Sequence, residues 1–421
     1  MVAATLTSGY PALAQPAGPK AEVTASQVKH RLVVLSDIEA DPDDSQSLVR
    51  LLLYANQIEI EGLIATTSVH QKSLVAPETI HSILDAYGKV QPNLLKHEKG
   101  YPDARSLASL VSQGLPVYGM AGVGDGKDSP GSDFLIRVLE KNDPRPVWVA
   151  VWGGVNTLAQ ALYKIKQSRS PEEAARLTGK LRVYTISDQD DSGIWIRRNF
   201  PDIFYIVSPG GYGNATWGGI NTVEAGFDNS EISNGWFANN IQQGHGPLGV
   251  MYPDVGYGVE GDTPTFLSLI PNGLNIPERP DWGGWGGRYT LYWRWRKDLQ
   301  NDFAARMDWT TKSYKDANHP PVTALGHEDR FTVKSGTRFL LSAAGTTDPD
   351  GDSLTYLWFN YPEAGTLKDL IKIGSAENLY RVNVHAPVVT KPETAHFILK
   401  VTDKGEPSLT RYKRVVVTIV P

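Results

Sequence analysis

Residues 33–44 read VVLSDIEADPDD, an apolar run of strand character that leads directly into a group of acidic residues. Side chains alternate between the two faces of a strand, so the apolar run would be buried while the acids cluster where the strand ends. Carboxylates packed so closely make one another harder to ionise, and a bound hard cation is their natural partner. The acids are Asp37, Glu39, Asp41, Asp43 and Asp44.

Oxygen ligands on a short loop favour calcium or magnesium, and the chain contains no cysteine, which excludes a thiolate site for zinc or copper. A simpler interpretation is a solvated acidic turn that caps the following helix. Asp and Ser are favoured at helix N-termini, where the helix dipole stabilises negative charge. Taken alone, the loop leaves both interpretations open.

The composition limits the classes of partner. A chain of 421 residues predicts two or three domains. Its formal net charge is −5, with acidic and basic residues mixed throughout, so a nucleic acid polymer is not an expected partner. Eleven tryptophans and eighteen tyrosines are more unusual, because such side chains often stack on sugar rings, although most are expected to pack in cores.

The first 29 residues are small and polar, and we expect a signal-like or unstructured segment there. The sequence ALAQ at residues 12–15 is similar to the cleavage site of an export signal, although the basic region and the apolar core of such a signal are missing. The prediction is therefore a periplasmic or secreted protein. No later stretch has the apolar length needed to span a bilayer, so no membrane span is expected.

Strands and helices alternate from about residue 30 to residue 208, which predicts an α/β domain with a mainly parallel sheet and helices on both faces. In such sheets ligands bind at the carboxyl ends of strands. The acidic loop, the Trp-Gly-Gly at residues 152–154 and the acid-rich stretch at residues 187–191 all fall at such ends.

Beyond residue 212 the chain changes character twice. Residues 212–309 are rich in Gly, Trp and Asn, and we expect loops with few clear helices there; such long loops usually carry function or are packed by their own aromatic residues. Short alternating strands then predict an antiparallel, immunoglobulin-like β-sandwich. The predicted divisions are an N-terminal segment (1–29), an α/β domain (30–316) and a β-sandwich domain (317–421).

Four segments in order resemble the nucleoside hydrolase superfamily, whose signature is Asp-x-Asp, a Pro-Gly turn and an Asp-Asp pair. The first is the acidic loop, and the others are IEGLIATT (60–67), VAVWGGVNTLAQAL (149–162) and EGDTPTFLSLI (260–270). The phrases SDQDDSGIWIRRNFP, HGPLG, IPNGL and WGGWGGRY, with the appended sandwich, resemble a bacterial branch of nucleoside hydrolase-like or cellulose-binding proteins. The stretch at residues 348–366 resembles PKD or cadherin-like modules.

The resemblance implies a calcium-dependent hydrolase in which the metal lowers the pKa of a water and a carboxylate takes its proton. The implied metal ligands are Asp37, Glu39, Asp44, Asp262 and the backbone carbonyl of Asn156, or of Val155 if the register slips by one. The resemblance also implies that Asp43 binds a sugar hydroxyl. The other candidate substrate-binding residues come from the loops expected around the pocket: Asp190, Asp191, Trp217, Trp236, His245, Glu260, Trp282 and Trp285.

The chain departs from the superfamily pattern at two functional positions. Glu39 stands where an aspartate is expected and Asp41 where a glycine is expected, so both remain candidates for the catalytic base. Gly261 replaces the histidine that precedes the late aspartate, which leaves protonation of the leaving group to other residues. His245 and the acids at residues 188–191 are the candidates.

Two functions stay open. The first is calcium-dependent hydrolysis of an N- or O-glycosidic bond in a furanoside, a nucleoside or another glycoside. The second is non-catalytic binding of cellulose or another polysaccharide on a hydrolase-derived fold. The sandwich itself would be a spacer or adhesion module, whose Asp348, Asp350 and Asp352 alternate as in calcium-binding loops or form a plain hairpin turn. The oligomeric state is open, with a homo-oligomer as one alternative.

Overall fold

The computed structural model describes residues 29–207, 228–256, 259–274, 291–374 and 376–421. Its α/β part contains a six-stranded sheet in the order β3-β2-β1-β4-β5-β6, and every neighbouring pair is parallel. This confirms the predicted parallel sheet. The strands are β1 (His30–Ser36), β2 (Ile58–Ala65), β3 (Val111–Gln113), β4 (Val147–Val151), β5 (Leu181–Thr185) and β6 (Phe204–Val207).

The strand order reverses between β1 and β4, which lie side by side in the middle of the sheet. At such a point the connections leave the two strands in opposite directions and open a crevice beyond their carboxyl ends. The acidic loop follows β1, and Gly153 and Gly154 follow β4. The fold therefore positions the acidic loop in the crevice where ligands of open α/β sheets bind.

Helices cover both faces of the sheet, so that alternate side chains of β1 enter two different cores. Leu32 and Val34 pack in one core, and Val33 and Leu35 pack in the other. The helices are α1 (Asp43–Leu52), α2 (Pro77–His97), α3 (Ala104–Ala108), α4 (Pro130–Glu140), α5 (Asn156–Ser168), α6 (Pro171–Thr178), α7 (Ser192–Asn199), α8 (Asn234–Phe237), α9 (Gly246–Val250), α10 (Pro264–Leu267) and α11 (Leu291–Asp308). Within the described residues, no helix has both the length and the apolar character needed to cross a membrane.

The C-terminal part is rich in β-strands, as predicted. It consists of a four-stranded sheet in the order β7-β12-β11-β9 and a two-stranded sheet of β10 and β8. The pairs are antiparallel except β7 with β12, which are the first and last strands of this part and need no tight turn between them. The strands are β7 (Arg330–Lys334), β8 (Arg338–Ser342), β9 (Thr355–Asn360), β10 (Arg381–His385), β11 (Glu393–Thr402) and β12 (Thr410–Val420).

Candidate functional site

The loop after β1 and the first turn of α1 bring three carboxylates together. One oxygen each from Asp41, Asp43 and Asp44 lies within 4.8 Å of the others. Asp43 and Asp44 are buried, with 5% and 2% of their surface exposed, and Asp44 accepts a 2.5 Å hydrogen bond from the Ser36 hydroxyl. A solvated helix cap does not account for this burial, and the residue at the N-cap position of α1, Pro42, makes no side-chain cap.

Asp37 and Asp262 complete what we call the acidic group, together with Asp41, Asp43 and Asp44. Asp262 lies in the turn before α10 and is 2% exposed. Burial raises its pKa well above the usual range, and the negative charges of the other four acids raise it further. Burial likewise raises the pKa of Asp44 well above its usual value, with Asp37 and Asp43 adding to the shift.

Two oxygens of the acidic group are buried without a donor. Within the described residues, Asp37 Oδ1 and Asp262 Oδ2 have no hydrogen-bond partner. Such an atom is costly, by about 1–3 kcal/mol or more when it carries charge, and it calls for an ion or a water as partner. The side-chain atoms that this group offers to a metal are all carboxylate oxygens, which are the ligands of calcium and other hard cations. The residues therefore fit a calcium ion.

The glycines after β4 allow the backbone to approach this group. A Cβ at Gly153 would lie 2.7 Å from the carboxylate of Asp37, and one at Gly154 would lie 2.5 Å from Asp190 Oδ2. Any larger residue would push the loop away from these acids. The Trp-Gly-Gly sequence thus reflects close packing of backbone against carboxylates.

The two candidates for the catalytic base lie in different surroundings. Glu39 has a positive φ of 83°, and its exposed carboxylate accepts a short hydrogen bond from the Thr79 hydroxyl on α2. Asp41 is half-buried and belongs to the acidic group. The structure therefore brings Asp41, rather than Glu39, together with Asp43 and Asp44.

Val155 and Asn156 lie at the start of α5. The Val155 carbonyl accepts the 3.0 Å helical hydrogen bond from the amide of Ala159. The Asn156 amide group donates to the Val117 carbonyl at 2.7 Å, and its backbone N–H donates to Asp190 at 3.1 Å. Asn156 thus ties together the loops at the carboxyl edge of the sheet.

The acids after β5 are engaged with backbone or with arginine. Asp190 is buried, which raises its pKa, and its other oxygen accepts from the Ser192 backbone N–H at 2.9 Å. Asp191 is exposed and accepts from the Met120 N–H at 2.8 Å, while Asp188 pairs with Arg197 at 2.7 Å. These contacts hold the loop in place.

Glu260 forms a fully buried ion pair with Arg50 of α1, with 2.7 Å between Oε2 and Nη1. Its other oxygen accepts from the Tyr252 hydroxyl at 2.9 Å, and its backbone N–H donates to Gln46 of α1 at 2.8 Å. Glu260 therefore fixes the turn that carries Asp262 against the helix that carries Asp43 and Asp44.

The remaining predicted residues lie apart from these contacts or outside the described residues. His245 Nε2 lies 3.1 Å from Asp308 at the end of α11. Trp236 is half-buried and packs edge-on against Phe237, with ring centroids 5.2 Å apart. Trp217, Trp282 and Trp285 lie outside the described residues.

Gln189 was missed by the sequence reasoning although it stands between the acids that were named. Its Nε2 donates to the Trp152 carbonyl at 2.5 Å, one residue before Gly153, while its Oε1 is buried without a partner among the described residues. Ser187 and Gln189 lie beyond the end of β5 at Thr185, so strand periodicity does not select them, and the sequence offers no signal for this contact.

Comparison with known proteins agrees with the resemblance found in the sequence. The family model described as cellulose-binding Sde182, nucleoside hydrolase-like domain, matches residues 31–289, and the one described as cellulose-binding protein Sde0182, C-terminal domain, matches residues 338–419. Among solved structures, the chain is similar to a nucleoside hydrolase-related hypothetical protein from Saccharophagus degradans, described as associated with carbohydrate metabolism. The two are 36% identical over 93% of this chain and 100% of that chain, with a TM-score of 0.83. No curated protein matches.

Proposed function

Because the chain belongs to the family of cellulose-binding proteins with a nucleoside hydrolase-like domain, we propose that it is a calcium-dependent hydrolase of an N- or O-glycosidic bond. Its substrate would be a furanoside, a nucleoside or another glycoside. The observation that carries the proposal is the acidic group, in which Asp37 and Asp262 each keep a buried oxygen that finds no hydrogen-bond donor among the described residues. A buried carboxylate with a structural role is paired, as Glu260 is with Arg50.

Asp37, Asp44 and Asp262 would hold the calcium ion, and Ser36 would fix the orientation of the Asp44 carboxylate. Calcium in this place would lower the pKa of a water molecule and so supply a nucleophile near neutral pH. Asp43 lies next to these ligands at the first turn of α1 and would bind a sugar hydroxyl.

Asp41 would accept the proton of the attacking water. It is the half-buried member of the acidic group, so its carboxylate can meet both the site and a substrate that enters from solvent. Glu39 is less suited to this role, because its carboxylate is exposed and bound to Thr79. A catalytic base must lie within hydrogen-bond reach of the proton that it abstracts.

The test is sugar release from a library of nucleosides, pentofuranosides and O-glycosides, with calcium and after its removal by a chelator. We expect Asp44→Asn to lose both bound calcium and activity. Asp41→Asn, assayed at saturating calcium, should lower kcat by about 100-fold or more. Glu39→Gln is the matched control and should leave both properties nearly unchanged. A calcium-loaded wild-type protein that releases no sugar from any substrate class would contradict hydrolysis.

The second candidate is binding of cellulose or a related polysaccharide without catalysis, which the descriptions of both family models favour. A pull-down on insoluble cellulose separates the two functions. Equal retention of the wild type and of Asp44→Asn, together with no sugar release, would support binding alone. Turnover that depends on calcium and is lost in Asp44→Asn would support hydrolysis, whether or not the protein is retained.

A further inference from the structure

A second set of carboxylates lies at the edge of the β-sandwich, far along the chain from the acidic group. One oxygen each from Asp348, Asp350 and Asp352 lies within 4.8 Å of the others, in the loop between β8 and β9. Asp348 Oδ1 accepts from the backbone N–H groups of Asp350 and Asp352 at 2.9 and 3.0 Å. Its Oδ2 is buried and has no hydrogen-bond partner among the described residues.

Asp403, the residue after β11, is linked to this loop through two adjacent residues, because Asn318 contacts Asp403 and His319 contacts Asp350. Only 2% of Asp403 is exposed, and its Oδ1 accepts from the side chain of Asn318 at 3.1 Å and from the N–H of Leu409 at 2.8 Å. Its Oδ2 is also buried without a partner among the described residues. Burial raises the pKa of Asp403 in spite of these hydrogen bonds, and the negative charge of Asp348 contributes to the same shift.

Asp350 has a different partner. Its carboxylate accepts from the backbone N–H of His319 at 2.7 Å and lies 3.0 Å from Nδ1 of the same residue. Both oxygens of Asp350 are therefore engaged with the segment that leads from the α/β part into the sandwich. The two buried oxygens without a partner in the described part of the chain, on Asp348 and Asp403, come from two loops of the sandwich.

We propose that Asp348, Asp352 and Asp403 form a second divalent-cation site, suited to calcium. Its ligands would be the Oδ2 atoms of Asp348 and Asp403, which have no other partner in the described part of the chain, and the carboxylate of Asp352. These three side chains offer only carboxylate oxygens, with no histidine or thiolate among them. Carboxylate oxygens are the ligands that calcium prefers. The ion would replace the donors that these buried oxygens lack.

The position of this site gives it a structural role at the junction of the two parts. Asn318 contacts Asp403, and His319 contacts Asp350. The ring of His319 stacks on Tyr314 with centroids 3.8 Å apart and on Trp309, just after α11, at 5.3 Å. A cation held by the loops of the sandwich would thus stiffen the segment that attaches it to the α/β part.

The test is calorimetric titration of the chelator-treated full chain with calcium. Asp348→Asn keeps an acceptor for the backbone of its loop while removing the charge, so the variant should fold and bind one calcium fewer than the wild type. Asp369→Asn removes an exposed carboxylate of the same part and should bind as the wild type does. Asp44→Asn removes the other site, so Asp44→Asn/Asp348→Asn should bind no calcium.

Thermal unfolding gives the second readout. Calcium should still raise the unfolding temperature of Asp44→Asn, and this increase should disappear in Asp44→Asn/Asp348→Asn. If Asp348→Asn fails to fold, Asp352→Asn takes its place. Its calcium affinity at the affected site should fall by at least about 10-fold, so that one equivalent fewer is bound at calcium concentrations that just saturate the wild type. The proposal would be overturned if Asp348→Asn and Asp352→Asn both kept the wild-type calcium stoichiometry and the wild-type stabilisation by calcium, whatever the activity of the protein.

Discussion

The buried ion pair between Arg50 and Glu260 offers a quantitative test of how the acidic group is held. Neither side chain has exposed surface, and their closest atoms lie 2.7 Å apart. Arg50 lies on the helix that carries Asp43 and Asp44, and Glu260 lies two residues before Asp262. The substitution Glu260→Gln removes the charge of one partner with almost no change in volume.

The expected loss follows from the contacts that Arg50 keeps. Leaving one partner of a buried pair uncompensated costs about 3–5 kcal/mol. Arg50 would still donate to Gln300 and to the Leu299 carbonyl, both at 2.9 Å, and would still lie 4.5 Å above the ring of Phe303. We therefore expect the free energy of unfolding to fall by about 3 kcal/mol, at the lower end of that range. Arg50→Met/Glu260→Leu should recover most of the loss, because no charge remains buried.

Urea unfolding measures this loss, and calcium titration measures its effect on the site. Because Glu260 fixes the turn of Asp262, we expect Glu260→Gln to weaken calcium binding as well. The matched control is Glu61→Gln, which removes the negative charge from another buried ion pair. In that pair Glu61 lies 2.8 Å from Arg31, at the amino end of β1. This substitution should destabilise the protein and leave calcium affinity unchanged. A loss below about 1 kcal/mol in Glu260→Gln would refute the reasoning, since that is the range of an exposed pair.

Three further perturbations test the site and the junction. Gly153→Ala places a Cβ 2.7 Å from the Asp37 carboxylate and should cost about 1–3 kcal/mol in urea unfolding while weakening calcium binding in calorimetry. Ser36→Ala removes the 2.5 Å donor to Asp44 and should weaken calcium binding by about 10–100-fold in the same titration. Burial alone would raise the pKa of Asp302, but the positive charges of Arg411 and Arg306 outweigh burial and hold that pKa below the usual range. Its contribution to stability is therefore present above the unfolded-state pKa of about 4 and is lost as the pH falls through the lower folded-state value. Asp302→Asn should remove this part of the acid sensitivity in urea unfolding measured across that pH range, and an unchanged pH profile would count against the assignment.

The parallel sheet was predictable because its strands are continuous apolar runs. All five residues of Val147–Val151 are buried, as is typical of strands covered on both faces. The alternation of strands and helices then places the loop after β1 at the carboxyl edge of the sheet. The location of the four acids that follow β1 comes from pattern and topology alone, whereas Asp262, far along the chain, was assigned only from the resemblance to the nucleoside hydrolase superfamily.

The partners of individual acids were not predictable, because they depend on tertiary contacts. Glu39 and Asp41 are two residues apart, yet the positive φ of Glu39 and its contact with Thr79 on α2 separate their environments. Glu260 was predicted to bind substrate, and the structure shows it neutralised by Arg50, which is remote in sequence. A local pattern identifies where acids gather, whereas burial and distant counter-charges decide which of them remain without a partner.

The contacts between the sandwich and the α/β part bear on how the two candidate functions are tested. The backbone N–H of Tyr412 on β12 donates to the Asn272 carbonyl at 2.9 Å, and its ring packs edge-on against Trp295 of α11 at 5.2 Å. Lys400 pairs with Asp298 of α11 at 2.7 Å. Asn272 follows α10, the helix that begins just after Asp262, so a strand of the sandwich touches the segment that continues from the acidic group.

Separating the two parts would expose this apolar and charged contact surface on both of them. An isolated sandwich that adheres to cellulose through that surface would mimic specific binding. An isolated α/β part would lose the support of the segment after Asp262. Binding and hydrolysis are therefore best compared in the full chain with single substitutions, where Asp44→Asn changes the acidic group and leaves the junction intact.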